Sequence, residues 1–149
     1  MREDGFTLLE VVCVLAIVAI VAALLLPALP RATSRPRLQS YAVAVAGLLK
    51  ADRNAAVRRG ASVATEIDAA SRLVRSGATG RSIKVPDDVA VNALLSARCG
   101  RQAAGSAIRF FSSGMSCGGV IALTRPGMAY EVRVNWLTGA VDIVSPAHS

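Results

Sequence analysis

A chain of 149 residues has room for one membrane span and one small domain, and for little else. Its formal net charge of +7 and isoelectric point near 10.4 come almost wholly from Arg, with Lys only at Lys50 and Lys84. These basic residues are scattered without a dense run. They read as a solvated basic surface before they read as a patch for nucleic acid or anionic lipid, so nucleic acid is not expected as a partner. Apolar residues make up 53% of the chain and mean hydropathy is +0.48, high for a soluble protein; the N-terminal run accounts for much of this.

That run comes first in the chain. A short polar leader, Met1 to Gly5, leads directly into Phe6, and from Phe6 to Leu29 only Thr7 and Glu10 are not apolar. About 20 apolar residues, each rising about 1.5 Å along a helix, cross a bilayer core. Glu10 is the anomaly. A carboxylate in an apolar span is costly unless it is paired, so an acid there marks function by default. It follows Phe6 by four residues, about one helical turn. An ordinary secretory signal has a basic start, a shorter apolar core and a small-residue cleavage site. This leader carries one Arg and two acids, and Pro27 to Arg31 makes a poor site of that kind.

Gly5-Phe6-Thr7-Leu8-Leu9-Glu10 followed by an apolar helix resembles the class III signal of type IV pilins and type II secretion pseudopilins. The resemblance implies cleavage by prepilin peptidase between Gly5 and Phe6, and N-methylation of Phe6. It implies that Glu10 pairs with the terminal amine of a neighbouring subunit during assembly. Two opposite charges in hydrocarbon satisfy each other, and a misregistered subunit leaves both exposed. It also places the N-terminus in the cytoplasm and the C-terminal domain in the periplasm, on a single pass through the bacterial inner membrane. The charge bias alone would point the other way: Arg31, Arg35 and Arg37 follow the span and only Arg2 precedes it.

Pro27 and Pro30 interrupt the helical pattern at the far membrane edge, where a kink is expected. Pilin-like proteins carry a proline at the position matching Pro27, which resembles a site of helix remodelling on assembly. Ser34 then reads as a cap and Pro36 as a first-turn residue. Leu38, Tyr41, Ala42, Val45, Leu48, Leu49 and Ala56 recur at helical spacing. Arg37, Lys50, Arg53, Arg58 and Arg59 mostly take the opposite face, and Gly60 closes the helix. The organisation expected is a leader over 1–5, a transmembrane and assembly helix over 6–29, a periplasmic helical half over 30–60, and a globular antiparallel β domain over 61–149. Strands are expected at Ser62–Ile67, Ser71–Val74, Val89–Leu95, Ile108–Phe111, Val120–Leu123, Ala129–Val134 and Val141–Val144. Ser96–Gly105 reads as a loop, and Thr124-Arg125-Pro126-Gly127 as the turn of a hairpin. Antiparallel strands beside a helix make an α+β class with a sheet or small sandwich.

The block from Ile108 to Gly114, with Ser116-Cys117-Gly118-Gly119 and the hairpin ending Val134-Asn135-Trp136-Leu137-Thr138-Gly139-Ala140-Val141, resembles the globular domain of the GspH/FimT family. The GspH branch implies a minor pseudopilin of type II secretion, a structural subunit at or near the tip of a periplasmic pseudopilus that helps export folded proteins. The partners so implied are other minor and major pseudopilins, prepilin peptidase, the inner-membrane assembly platform, inner-membrane lipid and secreted protein substrates. The FimT branch implies instead a minor pilin of a type IV pilus that binds DNA in uptake. The tail from Ser145 to Ser149, free of Arg and Lys, argues against the second.

The sequence offers no catalytic constellation, no metal set and no cofactor site. Ser113 to Gly119 lacks the Lys-Ser/Thr ending of a phosphate loop. His148, next to the C-terminal residue, is a poor general base. Asp142 and Glu131 do not make the calcium loop of major pseudopilins. Asp87 and Asp88 are adjacent on an extended chain and should diverge. Cys99 and Cys117 belong to no C-x-x-C and have no His nearby, which argues against zinc; if their region is periplasmic, a disulfide between them is permitted. Cys13 lies in the span. Trp136, after a strand, is expected to be a packing residue, with an interface anchor as the alternative.

Overall fold

The protein is described here by a computed structural model covering residues 5–25 and 32–146. These fall into two compact units, divided between Ala32 and Thr33. The first holds a single helix, α1 (Leu8–Leu25). It is apolar on every side apart from Glu10, is long enough to cross a membrane, and buries none of its side chains. A helix apolar all round finds its solvent in lipid or among other helices.

The second unit opens with α2 (Arg35–Arg59). Pro36 lies in its first turn, where no amide hydrogen is needed. Gly60, with φ of 63°, ends it in the left-handed conformation, and the amides of Gly60 and Ala61 close on the last carbonyls. Leu38, Ala42, Val45, Leu49 and Ala56 are buried along one face, with Tyr41 and Leu48 half-buried beside them. One position departs from the sequence reading. Ser34 has the extended backbone of a cap, but its side chain makes no capping bond. Asp52, on the packing face, is fully buried.

Among the described residues ten strands follow: β1 (Val63–Asp68), β2 (Leu73–Arg75), β3 (Ser82–Lys84), β4 (Ala90–Leu95), β5 (Arg98–Cys99), β6 (Gln102–Ala103), β7 (Ala107–Phe110), β8 (Gly119–Arg125), β9 (Met128–Val134) and β10 (Val141–Val144). All pair antiparallel. One sheet runs β3-β2-β1-β7, the second β10-β9-β8-β4, and β5-β6 is a separate hairpin. Helix α2 packs on β1 and β7 of the first sheet and on β9 and β10 of the second, so its apolar face closes both. In β1 the alternation sends Val63, Thr65 and Ile67 inward and Glu66 and Asp68 outward. Phe110, Ile108, Ile121, Leu123 and Val132 fill the shared core with Leu38 and Leu49. Each such fully buried side chain contributes about 1.5–3 kcal/mol relative to exposure.

Three differences from the expected strands have local causes. Arg72 takes φ of 54°, a turn conformation, so the second strand starts at Leu73 rather than Ser71. Ser82–Lys84 gains strand geometry only by pairing with β2, which no local pattern announces. Within Ser96–Gly105, expected as loop, Arg98 pairs with Ala103 and Cys99 with Gln102 around Gly100, whose φ is 65°.

Candidate assembly site

At the head of α1, Thr7 supplies the cap. Its Oγ1 accepts the Glu10 amide at 3.3 Å, and its carbonyl accepts the Val11 amide at 3.2 Å. Thr7-Leu8-Leu9-Glu10 therefore has the spacing of a capping box, a start signal that the sequence reading passed over. Glu10 sits in the first turn, near the positive end of the helix dipole. Phe6 and Glu10 share a face, lining one shallow hollow with Val11, Val14 and Leu15. That hollow is apolar, and among the described residues Glu10 takes part in none of the ion pairs. A carboxylate so placed on a lipid-length helix is costly unless a cation pairs with it. A side chain at Gly5 would meet nothing within 4 Å, so packing inside this chain does not demand a glycine there. Pro27 and Pro30 lie outside the described residues, as does His148.

In the second unit Cys99 and Cys117 are joined in a disulfide with Cα atoms 5.3 Å apart. It ties the β5-β6 hairpin to the approach to β8. Ser96 Oγ donates to the Cys117 carbonyl at 2.9 Å and reinforces the same junction. Cys13 is free and exposed on α1.

Polar side chains do structural work that the sequence did not announce. The buried Asp52 carboxylate accepts Thr65 Oγ1 at 2.7 Å and the Ser76 hydroxyl, and the amides of Gly77 and Ala78 at 3.1 and 3.3 Å. It thereby holds β1 and the turn after β2 onto the helix. Arg53, expected on the solvent face, instead reaches across. Its Nε donates to the Gly114 carbonyl at 3.0 Å and its NH2 group to the Thr138 carbonyl at 3.0 Å. A methyl group on Gly139, whose φ is 65°, would overlap that Gly114 oxygen. The turn held this way carries Trp136 and Leu137 outward, 61% and 55% exposed. Trp136 is therefore a surface residue, contrary to the packing role expected, because Asn135 Oδ1 accepts the Leu137 and Thr138 amides and folds the turn away from the core.

Asp87 and Asp88 diverge. Asp87 pairs with Arg72 at 2.6 Å, while Asp88 accepts the backbone amide and hydroxyl of Thr33 and pairs with Arg125 at 3.1 Å. The Thr33 amide and then its hydroxyl hold the Asp88 carboxyl below its ordinary value, helped by Arg125 and opposed by desolvation. Among the described residues no group of three or more His, Cys, Asp or Glu could hold a metal ion.

Residues 1–26 match the prokaryotic N-terminal methylation motif. Together with α1, its first-turn acid and a second helix closed over antiparallel sheets, this defines a pilin-like subunit. Over 137 residues, 92% of this chain and 80% of the relative, the sequence is 31% identical to type II secretion system protein H of Xanthomonas campestris pv. campestris. The chain belongs to that family, the minor pseudopilins of the GspH type. The fold is also that of the minor pseudopilin EpsH from the type 2 secretion system of Vibrio cholerae, with a TM-score of 0.56 at 12% identity, over 78% of this chain and all of that one. The type IV minor pilin FimU of Pseudomonas aeruginosa matches at a TM-score of 0.56 and 16% identity, over 76% of this chain and 96% of that one.

Proposed function

We propose that this minor pseudopilin is cut by prepilin peptidase between Gly5 and Phe6, methylated on the Phe6 amine, and assembled at or near the tip of a periplasmic pseudopilus that helps export folded proteins. The N-terminus faces the cytoplasm and the β domain the periplasm. Glu10 pairs with the Phe6 amine of a neighbouring subunit as the apolar helices leave lipid and bundle. The β domain meets other minor and major pseudopilins and secreted substrates. The chain performs no catalysis of its own; cleavage and ATP hydrolysis belong to partners, at the membrane and on the assembly platform.

The observation that carries this reading is Glu10, in no ion pair among the described residues, on a helix with no buried side chain and an apolar wall around the acid. Such a helix is incomplete alone, in both its surface and its charge. Intact-mass measurement of the protein from membranes tests the processing step. The expected species begins at Phe6 and carries one methyl group, and a mature form that retains Met1 to Gly5 sinks the proposal. The fold of FimU keeps a second reading open, a FimT-like minor pilin of a type IV pilus that binds DNA. It requires salt-dependent DNA binding by the full chain in detergent.

A further inference from the structure

The covalent link from the span into the globular unit runs through Ala32, Thr33 and Ser34, and this link is anchored where α2 is weakest. Helix α2 starts with poor local support. Ser34 does not cap it, no acid lies in its first turn, and Arg35 and Arg37 bring positive charge to the positive end of the helix dipole. Left to itself such an end frays. Yet Thr33, just before the Ser34 cap position, is only 1% exposed. The Thr33 amide donates to Asp88 Oδ2 at 2.6 Å and its hydroxyl to Asp88 Oδ1 at 2.7 Å, so both carboxylate oxygens are engaged by one residue. Arg125 closes the ring. Its Nε lies 3.1 Å from the same Asp88 carboxylate, and its NH1 group donates to the Thr33 carbonyl at 2.7 Å. Arg35 adds a longer bond from its NH2 group to the Gly127 carbonyl at 3.4 Å.

Every polar group of Thr33 is thus tied to residues flanking the second sheet: Asp88 just before β4, and Arg125 at the end of β8. We infer that the Thr33–Asp88–Arg125 cluster is a mechanical clamp, which passes tension on the span into the second sheet and keeps α2 from unwinding at its N-terminal end. Pulling on residue 32 then loads three charge-assisted bonds together, and α2 peels only after they part. Without the clamp the same pull acts on the uncapped first turn. The role in assembly rests on the proposed extraction of the apolar helix from lipid; the clamp itself rests only on the geometry.

The test uses the full chain in detergent, with Asp88→Asn and Thr33→Val beside the wild type. Hydrogen exchange of the Thr33 and Leu38 amides, the hydrogen-bonded amides of this stretch, should quicken about ten- to a hundredfold in both variants, from the loss of hydrogen bonds to a charged group. Amides of β8 and β9 should keep their protection. Unchanged exchange at the first turn, or an equal rise everywhere, overturns the clamp. In cells that lack the native copy, both variants should accumulate in the membrane and release at least about fivefold less enzyme, a drop the uncapped turn predicts under load. Normal release with an opened first turn overturns the mechanical role. Failure of both variants to accumulate does so too, since the cluster would then serve folding alone. If cells without the chain release enzyme normally, the secretion reading falls while the exchange result stands.

Discussion

Single carboxylates carry much of this molecule, each through a different physical device. Glu10 is ionisable on an apolar helix and, among the described residues, takes part in no ion pair, so its replacement should spare the anchor and damage assembly. Glu10→Leu should insert into the membrane at the wild-type level and give at least about a tenfold loss of enzyme release, in line with an unmatched intramembrane charge of a few kcal/mol. Normal release by that variant would remove the pairing model. Asp52 is the opposite case, a buried acid with four donors inside its own fold. Asp52→Ala leaves two hydroxyls and two amides without their acceptor, at a cost of about 3–5 kcal/mol. Urea unfolding should show the lower midpoint, and a loss under about 1 kcal/mol would mean that water replaces the carboxylate. Asp88 offers a test by pH. Its carboxyl is held below the ordinary value of 3.8 by Thr33, so its contribution is complete above that value and fades as pH falls through the lower, folded one. The Thr33 amide proton, followed by NMR, should titrate with a midpoint below 3.8; a midpoint at or above it contradicts the bonding to Thr33.

Elements differed in how openly the sequence displayed them. The packing face of α2 was legible because apolar side chains repeat at helical spacing, and Leu38, Val45 and Leu49 are buried together. The hairpin of β8 and β9 was legible because Pro126 and Gly127 separate two apolar runs. Asp52 and Arg53 were opaque: both look like solvent-facing charges until partners distant in sequence, Thr65 and Gly114, arrive beside them. Strand β3 was hidden for the same reason, since its geometry comes from β2 and not from its own residues. At the candidate assembly site, Gly5, Phe6 and Glu10 stand out because an acid interrupts an apolar run. The Thr7 cap is equally visible in the Thr-x-x-Glu spacing. The β5-β6 hairpin is a marginal element, two residues a side, whose attachment depends on Cys99 and Cys117. Replacing both with Ser should remove about 3 kcal/mol, the loop-closure value for a separation of 18 residues. Denaturation of the full chain with and without reductant measures it. A reductant effect that persists in the double variant would locate the sensitivity elsewhere.

At the scale of the whole molecule, the two units answer different physical demands, and neither completes a function alone. The first is a helix with no buried residue and one acid that, among the described residues, joins no ion pair. The second is a closed core that exposes Trp136, Leu137 and Leu94 (61%, 55% and 77% exposed) on rigid turns and an edge strand. Aromatic and aliphatic anchors on fixed backbone suit contacts with other proteins more than chemistry on small molecules. The fold does not choose between machines, because EpsH and FimU match it equally at a TM-score of 0.56. Sequence kinship does choose, through 31% identity to type II secretion system protein H. The prediction that follows concerns a strain lacking this chain. Extracellular enzyme release should fall while twitching motility and DNA uptake continue, because the loss removes a pseudopilus subunit and leaves the pilus intact. A strain that secretes normally but no longer twitches or takes up DNA would move the chain to the pilus. In that event the scattered arginines, and not the exposed Trp136 turn, become the surface to map, with DNA affinity falling steeply as salt rises.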